Sequence, residues 1–365
     1  MEPIAPLLIT LPDGPVDIVG DVHGELDALL SLLEALGYDR DGNHAEGRSL
    51  IFVGDLCDRG PDSPGVIDLV RNLIQIGRAT CVIGTHELNL LKGDRKHGND
   101  WFWNSGTERD REFEPCRSLK SDDEREAVLR FFRTLPLAAS RADLRVTHAA
   151  WDMASLKRIQ QQSGIEGLAA LFDFWDEAVL DELRAEGSLD PADAEREAHE
   201  HLFWDRDATM PMLERVGRRD ERQQMGNPLR VLTSGAERLT QVPFFASGHW
   251  RFVERVRWWD DYDDATPVVI GHYWRAFDPH DRIMHGKGEF DPFNDIAPLA
   301  WMGKRRNVFC IDYSVGGRFI ERNLKRPLGS TTRLGALRWP ERTVVFETGE
   351  ALQTQGFAEP DVTAR

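Results

Sequence analysis

Short apolar runs alternate with amphipathic stretches in the first part of the chain. The runs 16–20, 49–54 and 79–84 are rich in Val, Ile and Leu, and each ends in glycine. Between them, apolar residues recur at helical spacing over 26–36 and 66–76. Short apolar strands separated by amphipathic helices predict βαβ units and a largely parallel, buried sheet.

The remainder of the chain predicts further strands and a helical segment. A helix is expected over 121–135 and a strand over 144–148. From 152 to about 215 the pattern is helical and acidic, and strands are expected at 230–234, 267–272, 307–312 and 342–347. We therefore predict one α/β domain over 1–365, with a mostly helical insertion or cap at 152–265.

Polar side chains follow the predicted strands directly. The strand ends read GDVHG at 20–24, GDLCDRG at 54–60 and GTHE at 84–87, and later strands end in TH at 147–148 and GH at 271–272. Open α/β sheets place their sites at the carboxyl ends of strands. Carboxylates and imidazoles without thiolates suit Mn, Fe or Zn, and two such ions sharing a carboxylate form a hydrolytic centre. The pattern thus indicates a two-metal site.

Composition excludes several classes of protein. The 365 residues include 45 Lys plus Arg against 62 Asp plus Glu, which gives a formal net charge of −17. This acidity argues against a general nucleic-acid binder and against anionic membrane surfaces. The sequence has no apolar stretch of about 20 residues that could span a membrane, and its N-terminus does not resemble a signal peptide. Four cysteines without a C-x-x-C pair favour reduced thiols and a cytoplasmic protein.

The motifs GDVHG, GDLCDRGP and G-T-HE, followed by HA and GH, resemble those of the calcineurin-like metallophosphoesterases. Within that group they are similar to the phosphoprotein phosphatase superfamily, which includes bacterial Ser/Thr phosphatases and diadenosine tetraphosphatases. The resemblance implies a metallo-dependent phosphatase fold of two packed mixed β-sheets flanked by helices, an α/β/β/α arrangement. It does not account for the acidic helical insertion, in which 173–200 holds eleven acidic residues against Arg184 and Arg196.

The resemblance also implies ligands for two divalent metal ions, with Mn²⁺ expected and Fe or Zn as alternatives. Asp21 and His23 would bind the first ion, and Asp55 would bridge both. The second ion would take His148, His272 and the residue at position 85.

The remaining roles implied by the resemblance concern the phosphate ester. Asp58 would orient His86, which would act as a general acid toward the leaving oxygen. Arg59 would bind phosphate oxygens, and Arg206 in LFWDRD (202–207) matches a Trp-x-Arg segment of bacterial relatives. The implied reaction is direct attack by a metal-bridging hydroxide, without a phosphoenzyme.

Thr85 departs from the family motif GNHE, in which an Asn amide oxygen binds the second ion. A Thr hydroxyl is shorter and is a poorer neutral ligand, so we expect weaker binding of that ion. Two explanations remain open: the substitution inactivates an otherwise active enzyme, or the natural protein tolerates Thr85 with water completing the metal ligands.

Three functions are compatible with these motifs. We expect a phosphomonoesterase acting on a phosphorylated protein or small molecule, because Glu87 stands where dinucleoside tetraphosphatases commonly carry Asp. A dinucleoside polyphosphate or nucleotide hydrolase is the first alternative. A pseudophosphatase that binds phosphorylated ligands without cleaving them is the second, and Thr85 is its sequence support.

Segment 248–264 alternates arginines with aromatic residues, as a substrate-side strand or helix would, but it does not identify the substrate.

Overall fold

The computed structural model describes residues 7–96, 98–104, 108–113, 115–278 and 290–358. Its strands are β1 Leu8–Thr10, β2 Val16–Val19, β3 Ser49–Phe52, β4 Ala79–Cys81, β5 Ala138–Arg141, β6 Leu144–Thr147, β7 Glu237–Ala246, β8 His249–Arg255, β9 Val268–Ile270, β10 Val308–Cys310, β11 Gly335–Trp339, β12 Thr343–Phe346 and β13 Ala351–Gln353. Its α-helices are α1 Leu26–Leu36, α2 Ser63–Gln75, α3 Thr85–Leu91, α4 Asp100–Trp103, α5 Asp122–Phe132, α6 Met153–Gln161, α7 Leu168–Ala185, α8 Leu189–His199, α9 Glu214–Gly226, α10 Pro228–Ser234 and α11 Arg318–Asn323.

Two mixed sheets contain most of the strands. The six-stranded sheet has the order β13-β12-β11-β2-β3-β4, and the five-stranded sheet has the order β1-β5-β6-β9-β10. Strands β2, β3 and β4 are parallel neighbours, with α1 and α2 as their crossover helices. Strand β11 joins the other edge of β2 in antiparallel orientation. The βαβ units predicted from the sequence are therefore confirmed, although the whole sheet is mixed.

The main layers follow from the alternation of side chains along each strand. Val16 and Ile18 belong to an apolar cluster shared with Val146 and Val269 of the other sheet, whereas Val19 belongs to the cluster that contains the buried leucines of α1. Successive strand residues point to opposite faces, so one set of side chains packs between the sheets and the other packs against helices. The predicted α/β/β/α metallo-dependent phosphatase fold is confirmed.

Segment 152–265 contains five α-helices, α6 to α10, followed by the β7–β8 hairpin. The helices are amphipathic, and small apolar clusters join them to one another and to the hairpin. In one of these clusters, Val216 of α9 and Phe252 of β8 are buried together with Phe203 and Leu213. The hairpin gives this segment a β component that the predicted helical insertion did not include.

The strand predicted at 230–234 is wrong, because these residues lie in helix α10. Asn227 caps this helix by accepting a hydrogen bond from the Leu229 N–H, and Pro228 occupies the first turn. Both residues favour a helix start. The apolar run that resembles a strand supplies the buried side chains Val231 and Leu232 of a short helix.

All four cysteines are free thiols, and Cys57, Cys81 and Cys310 are buried. Among the helices of the described ranges, none combines the length and the apolar character needed to cross a membrane.

Candidate metal centre and catalytic site

The loops after neighbouring strands of both sheets meet at one place. Asp21 follows β2, Asp55 follows β3, and His86 lies in the first turn of α3 after β4. His148 and His272 follow β6 and β9, which are parallel neighbours in the other sheet. Because the carboxyl ends of these strands lie at a common edge, residues far apart in the sequence are brought together.

The backbone of these loops is unusual. Several site residues have a positive φ, a region that costs free energy for any residue with a Cβ and that recurs at functional sites. They are His23 at 48°, Asp55 at 49°, Asp58 at 73°, Arg59 at 73° and His272 at 68°. The surrounding fold therefore holds these residues in conformations that they would not adopt in isolation.

Two glycines make room for the carboxylates. A Cβ at Gly84 would lie 2.3 Å from Asp55 Oδ1, and a Cβ at Gly271 would lie 2.0 Å from Asp21 Oδ1. Both distances are far below any real Cβ contact. The glycines that end the predicted strands thus permit the close approach of the acidic side chains to neighbouring backbone.

Backbone carbonyls fix the orientation of two imidazoles. His23 Nδ1 lies 3.1 Å from the Cys57 carbonyl oxygen, and His148 Nδ1 lies 2.7 Å from that of Val53. A carbonyl oxygen can only accept a hydrogen bond, so each Nδ1 carries the proton and donates. The Nε2 atom of each ring is left for another partner, which is the arrangement that metal-binding histidines commonly show.

Asp55 lies at the middle of two groups of candidate ligands. The ligand atoms of His23, Asp55 and His86 lie within 4.8 Å of one another, and so do those of Asp55, His148 and His272. Asp55 Oδ2 is 3.3 Å from His148 Nε2 and 3.8 Å from His23 Nε2. One carboxylate shared by two such groups is the geometry that a bridging ligand requires.

The charges of this region favour bound cations. Burial by itself lowers the pKa of His148, but the carboxylates of Asp55 and Asp21 outweigh it and raise the pKa to about 10. His148 Nε2 is buried without a hydrogen bond of good geometry. Burial also raises the pKa of Asp21 well above its usual value, and the nearby carboxylates of Asp312 and Asp55 add to this effect. The donor set therefore fits divalent metal ions, which would offset these buried carboxylates.

Asp21 reaches the second ligand group through the backbone. Its carboxylate accepts a hydrogen bond from the His272 N–H, with distances of 3.0 and 3.2 Å to its two oxygens. It is absent from both groups of described ligand atoms, and His86 stands with His23 and Asp55 where Asp21 was expected. The assignment of Asp21 to the first ion therefore rests on the family resemblance.

Asp58 and His86 form a buried, tightly coupled pair. Asp58 Oδ2 is 2.6 Å from His86 Nδ1, and Asp58 Oδ1 accepts a hydrogen bond of 2.7 Å from the Trp101 indole. The carboxylate orients the imidazole, so that His86 Nε2 is directed toward Arg59 Nη2, at 3.1 Å. The sequence predicted the Asp58–His86 pair but did not predict the anchoring role of Trp101.

Arg59 places its guanidinium among the candidate metal ligands. Its Nη1 lies 3.0 Å from His23 Nε2, and its guanidinium carbon lies 4.8 Å from the centre of the Trp274 ring. An arginine fork in this position can bind two oxygens of a phosphate group at once. The indole restricts the side chain to the site.

The Glu87 side chain stabilises two loops of the candidate metal site. Its buried carboxylate accepts hydrogen bonds from the backbone N–H groups of Gly84, Asp55 and Leu56, at 2.8 to 2.9 Å. It therefore ties the loop after β3 to the loop after β4. The sequence motif contained Glu87, but nothing in the spacing showed that its partners would be backbone groups.

The hydroxyl of Thr85 has a protein partner in the structure. Its Oγ1 donates a hydrogen bond of 2.7 Å to the Thr233 carbonyl oxygen and lies 3.5 Å from His272 Nδ1. The side chain thus stands beside the second ligand group. Only the oxygen lone pairs remain to interact with an ion there.

Arg206 lies apart from the other predicted site residues. It is exposed in the turn that follows a 3₁₀ helix at Glu200–Leu202, and it is not among the residues that line the site cavity. In the same turn, Asp205 accepts a hydrogen bond from the Asp207 N–H, which stabilises a surface conformation. The structure therefore does not bring Arg206 to the described metal ligands.

Other arginines of the 152–265 segment do reach the site. A cavity of about 490 Å³ extends from Asp55 and His86 to the hairpin, and its lining includes Arg230, Arg251 and Arg255. Arg255 Nη2 lies 2.9 Å from His272 Nε2. The alternation of arginines with aromatic residues in 248–255 is the sequence signal that could have identified them.

Comparison with known proteins places these features in a family. The family model described as calcineurin-like phosphoesterase matches residues 14–217, more than half of the chain. This range contains the loops after β2, β3, β4 and β6 and therefore all of the candidate ligands except His272.

Curated relatives resemble a short part of the chain. Bis(5'-nucleosyl)-tetraphosphatase PrpE [asymmetrical] of Halalkalibacterium halodurans is 49% identical over 73 residues, which are 19% of this chain and 30% of that protein. The protein of the same name from Bacillus subtilis is 42% identical over 84 residues, covering 21% of this chain and 34% of its own length. The chain thus spans about a third of the length of these relatives.

Solved structures resemble the chain over most of its length but at low identity. The cold-active protein-tyrosine phosphatase of a psychrophilic Shewanella species is 18% identical, with a TM-score of 0.48, over 97% of this chain and 84% of that one.

Because the family model covers most of the site and more than half of the sequence, the chain belongs to the calcineurin-like phosphoesterase family.

Proposed function

We propose that the protein is a dinuclear-metal-dependent phosphoesterase that acts mainly as a phosphomonoesterase. The observation that carries this proposal is the position of the Asp58–His86 pair and Arg59 beside two ligand groups that share Asp55. This arrangement combines an oriented acid, a phosphate-binding cation and a place for divalent ions. A purely structural role would leave this group of residues without a function.

Six residues would hold the metal ions. Asp21 and His23 would bind one ion, His148, His272 and Thr85 would bind the other, and Asp55 would bind both. When bound, two divalent ions would activate a water molecule for attack and neutralise charge on the phosphate. Mn²⁺ is the proposed metal because the donors are carboxylates and imidazoles without thiolates.

The protein's own residues would perform the remaining steps. Arg59 would bind two phosphate oxygens and align the ester bond. His86 would donate its Nε2 proton to the leaving oxygen, and Asp58 would keep the ring oriented and stabilise its charged form. The 2.6 Å distance between Asp58 Oδ2 and His86 Nδ1 supports this division of roles. Arg206 stays a predicted phosphate ligand, and its exposed position lends it no support.

A dinucleoside polyphosphate hydrolase is the second candidate. It is favoured by the curated relatives, which are named bis(5'-nucleosyl)-tetraphosphatases. Glu87 stands against it, since dinucleoside tetraphosphatases commonly carry Asp at the corresponding position.

Hydrolysis of p-nitrophenyl phosphate and of diadenosine tetraphosphate, each with added Mn²⁺, separates the two candidates. We expect turnover of the monoester and a loss of that turnover in His86→Asn. His199→Asn is the matched control, because His199 lies in α8 and contacts the Glu195 carbonyl instead of the described site. Turnover of the tetraphosphate alone would favour the second candidate. One bound ion per chain, affinity for phosphate and no turnover would instead indicate a pseudophosphatase.

A further inference from the structure

Strand β8 presents a row of side chains to the site cavity. Residues His249, Arg251, Val253 and Arg255 alternate along the strand, and all four line the cavity. Phe252, which points the other way, is buried against Val216 of α9. The period of two therefore directs Phe252 into the 152–265 segment and these four side chains to the cavity, while Trp250 near the start of the strand borders both.

Arg255 and Arg251 both lie on the cavity face, with Val253 between them. Arg255 is the inner one, since its Nη2 lies 2.9 Å from His272 Nε2. Arg251 is four residues away on the same face, which corresponds to roughly 13 Å along a strand. A second positive group therefore extends the site outward from the metal ligands.

Arg251 has no acidic partner in the described part of the chain. No hydrogen bond or ion pair joins its guanidinium to a described residue, whereas Arg230, on the same cavity wall, is held by both oxygens of Asp176. Burial lowers the pKa of Arg251, while the carboxylate of Glu237 acts in the opposite direction. A partly buried guanidinium without a close partner is ready to bind an anion.

The acidic residues of the cavity wall do not cancel this charge. Asp220 already accepts two hydrogen bonds from Arg219. Glu237, which faces Arg255 across the hairpin register, is then the one described acid near both arginines that lacks a salt bridge. Two guanidinium groups against one carboxylate leave a net positive charge.

We propose that Arg251 forms a second anion subsite beyond Arg255, and that the substrate is a phosphate ester carrying a second anionic group. This inference rests on the proposed phosphoesterase function, because it names the class of substrate for the same site. Arg255 would lie next to the scissile phosphate, and Arg251 would bind a phosphate or carboxylate farther along the molecule. The hairpin lies outside the range that the family model matches, so the subsite belongs to the part of the chain that the family model leaves out.

Matched substrate pairs test the subsite. Glycerol 3-phosphate and 3-phosphoglycerate differ by a nearby carboxylate, and fructose 6-phosphate and fructose 1,6-bisphosphate differ by a more distant phosphate. We expect the doubly anionic member of at least one pair to have a kcat/KM about tenfold or more above that of its partner, as one charge-assisted hydrogen bond would give. In Arg251→Gln this preference should fall to near one, and Arg251→Lys should retain part of it.

Arg238→Gln is the control on the same hairpin, because Arg238 is exposed and paired with Glu254 outside the cavity lining. Equal kcat/KM within both pairs, or an unchanged preference in a folded Arg251→Gln, would overturn the subsite while leaving phosphatase activity intact. If no ester is hydrolysed, the proposed function fails separately. Calorimetric binding of the same four compounds to the wild type and to Arg251→Gln then decides whether the subsite exists.

Discussion

Thr85 is the residue at which the candidate metal site departs from the motif that the sequence resembles. It stands where that motif, GNHE, has an Asn amide, and its hydroxyl donates a hydrogen bond to the Thr233 carbonyl oxygen. Because a hydroxyl is a poorer neutral ligand than an amide oxygen, we predict that Thr85→Asn reaches half-maximal activity at about tenfold lower Mn²⁺ concentration. A titration of p-nitrophenyl phosphate hydrolysis with Mn²⁺ measures this.

The control for that titration is Thr209→Asn, an identical change at an exposed position outside the site. An unchanged midpoint in Thr85→Asn would show that position 85 does not contribute to metal binding.

The Asp58–His86 pair makes a prediction about leaving groups. Asp58→Asn removes the carboxylate that holds His86 Nδ1 at 2.6 Å, so the imidazole loses its orientation and its support when charged. We predict a loss of kcat of about 10²-fold or more with phenyl phosphate, whose leaving oxygen needs a proton. The loss should be much smaller with p-nitrophenyl phosphate, which has a better leaving group.

Asp68→Asn, on the exposed side of α2, controls for the removal of a carboxylate. Equal losses with the two esters in Asp58→Asn would mean that the pair has a structural role and does not transfer a proton.

At the scale of elements, Glu87 holds two loops in place at the start of α3. Its carboxylate accepts three backbone hydrogen bonds, and the neutral amide of Glu87→Gln can accept with only one oxygen. We predict a decrease in the free energy of unfolding of about 1.5–3 kcal/mol, measured by urea denaturation. Glu126→Gln, at a partly exposed pair with Arg133, should cost less than about 1 kcal/mol.

Strand and helix patterns in the sequence predicted the elements that carry the candidate metal ligands. Strands β2 and β3 lie in buried apolar runs that end in glycine, and β4 begins the run 79–84, whose residues from Cys81 onward are buried, so the local pattern indicates all three. Helix α10 was missed because four apolar or small residues in a row fit a strand equally well. The Asn-Pro start at 227–228 carried the decisive signal.

The β7–β8 hairpin was not predicted as a hairpin: segment 248–264, which contains β8, fitted a strand or a helix, and β7 was missed. Its strands alternate polar and apolar residues only weakly, and a register shift between Leu239 and Phe244 interrupts their pairing. The alternation along β8 can be recognised only in the folded protein, where α9 covers one face of the strand and the cavity lies on the other.

Across the whole molecule acidic residues outnumber basic ones, but the lining of the cavity has more basic than acidic side chains. The net charge is −17, yet the cavity lining includes Lys92, Arg196, Arg251 and Arg255 in addition to Arg59. Short-range positive charge at the site can bind a phosphate ester even though the protein as a whole repels anions.

The sequence predicted the candidate ligands at the strand ends because the carboxyl ends of neighbouring parallel strands lie at one edge of a sheet. The alternation of arginines with aromatic residues in 248–264 contained Arg251 and Arg255, but their position at the cavity depends on how the 152–265 segment folds.

Removal of metal should affect stability as well as activity. Asp21, Asp55 and Asp312 are buried close together, and Asp21 has a raised pKa because of burial and of the neighbouring carboxylates. Bound cations offset this repulsion, so chelation should abolish hydrolysis and lower the melting temperature. A metal ion present at a hundred times its Kd would add about 2.7 kcal/mol to the free energy of unfolding. Calorimetry with and without a chelator measures the shift, and readdition of Mn²⁺ should reverse it; equal melting temperatures would contradict metal binding.

The central claim is that Asp55 is shared by two metal ions at a phosphoesterase site. Its most direct test measures metal content and p-nitrophenyl phosphate hydrolysis in the wild type and in Asp55→Asn, with folding checked by circular dichroism. We predict about two divalent ions and Mn²⁺-dependent turnover in the wild type, and reduced metal content with background turnover in the folded variant. Wild-type activity and undiminished metal content in Asp55→Asn would contradict the account.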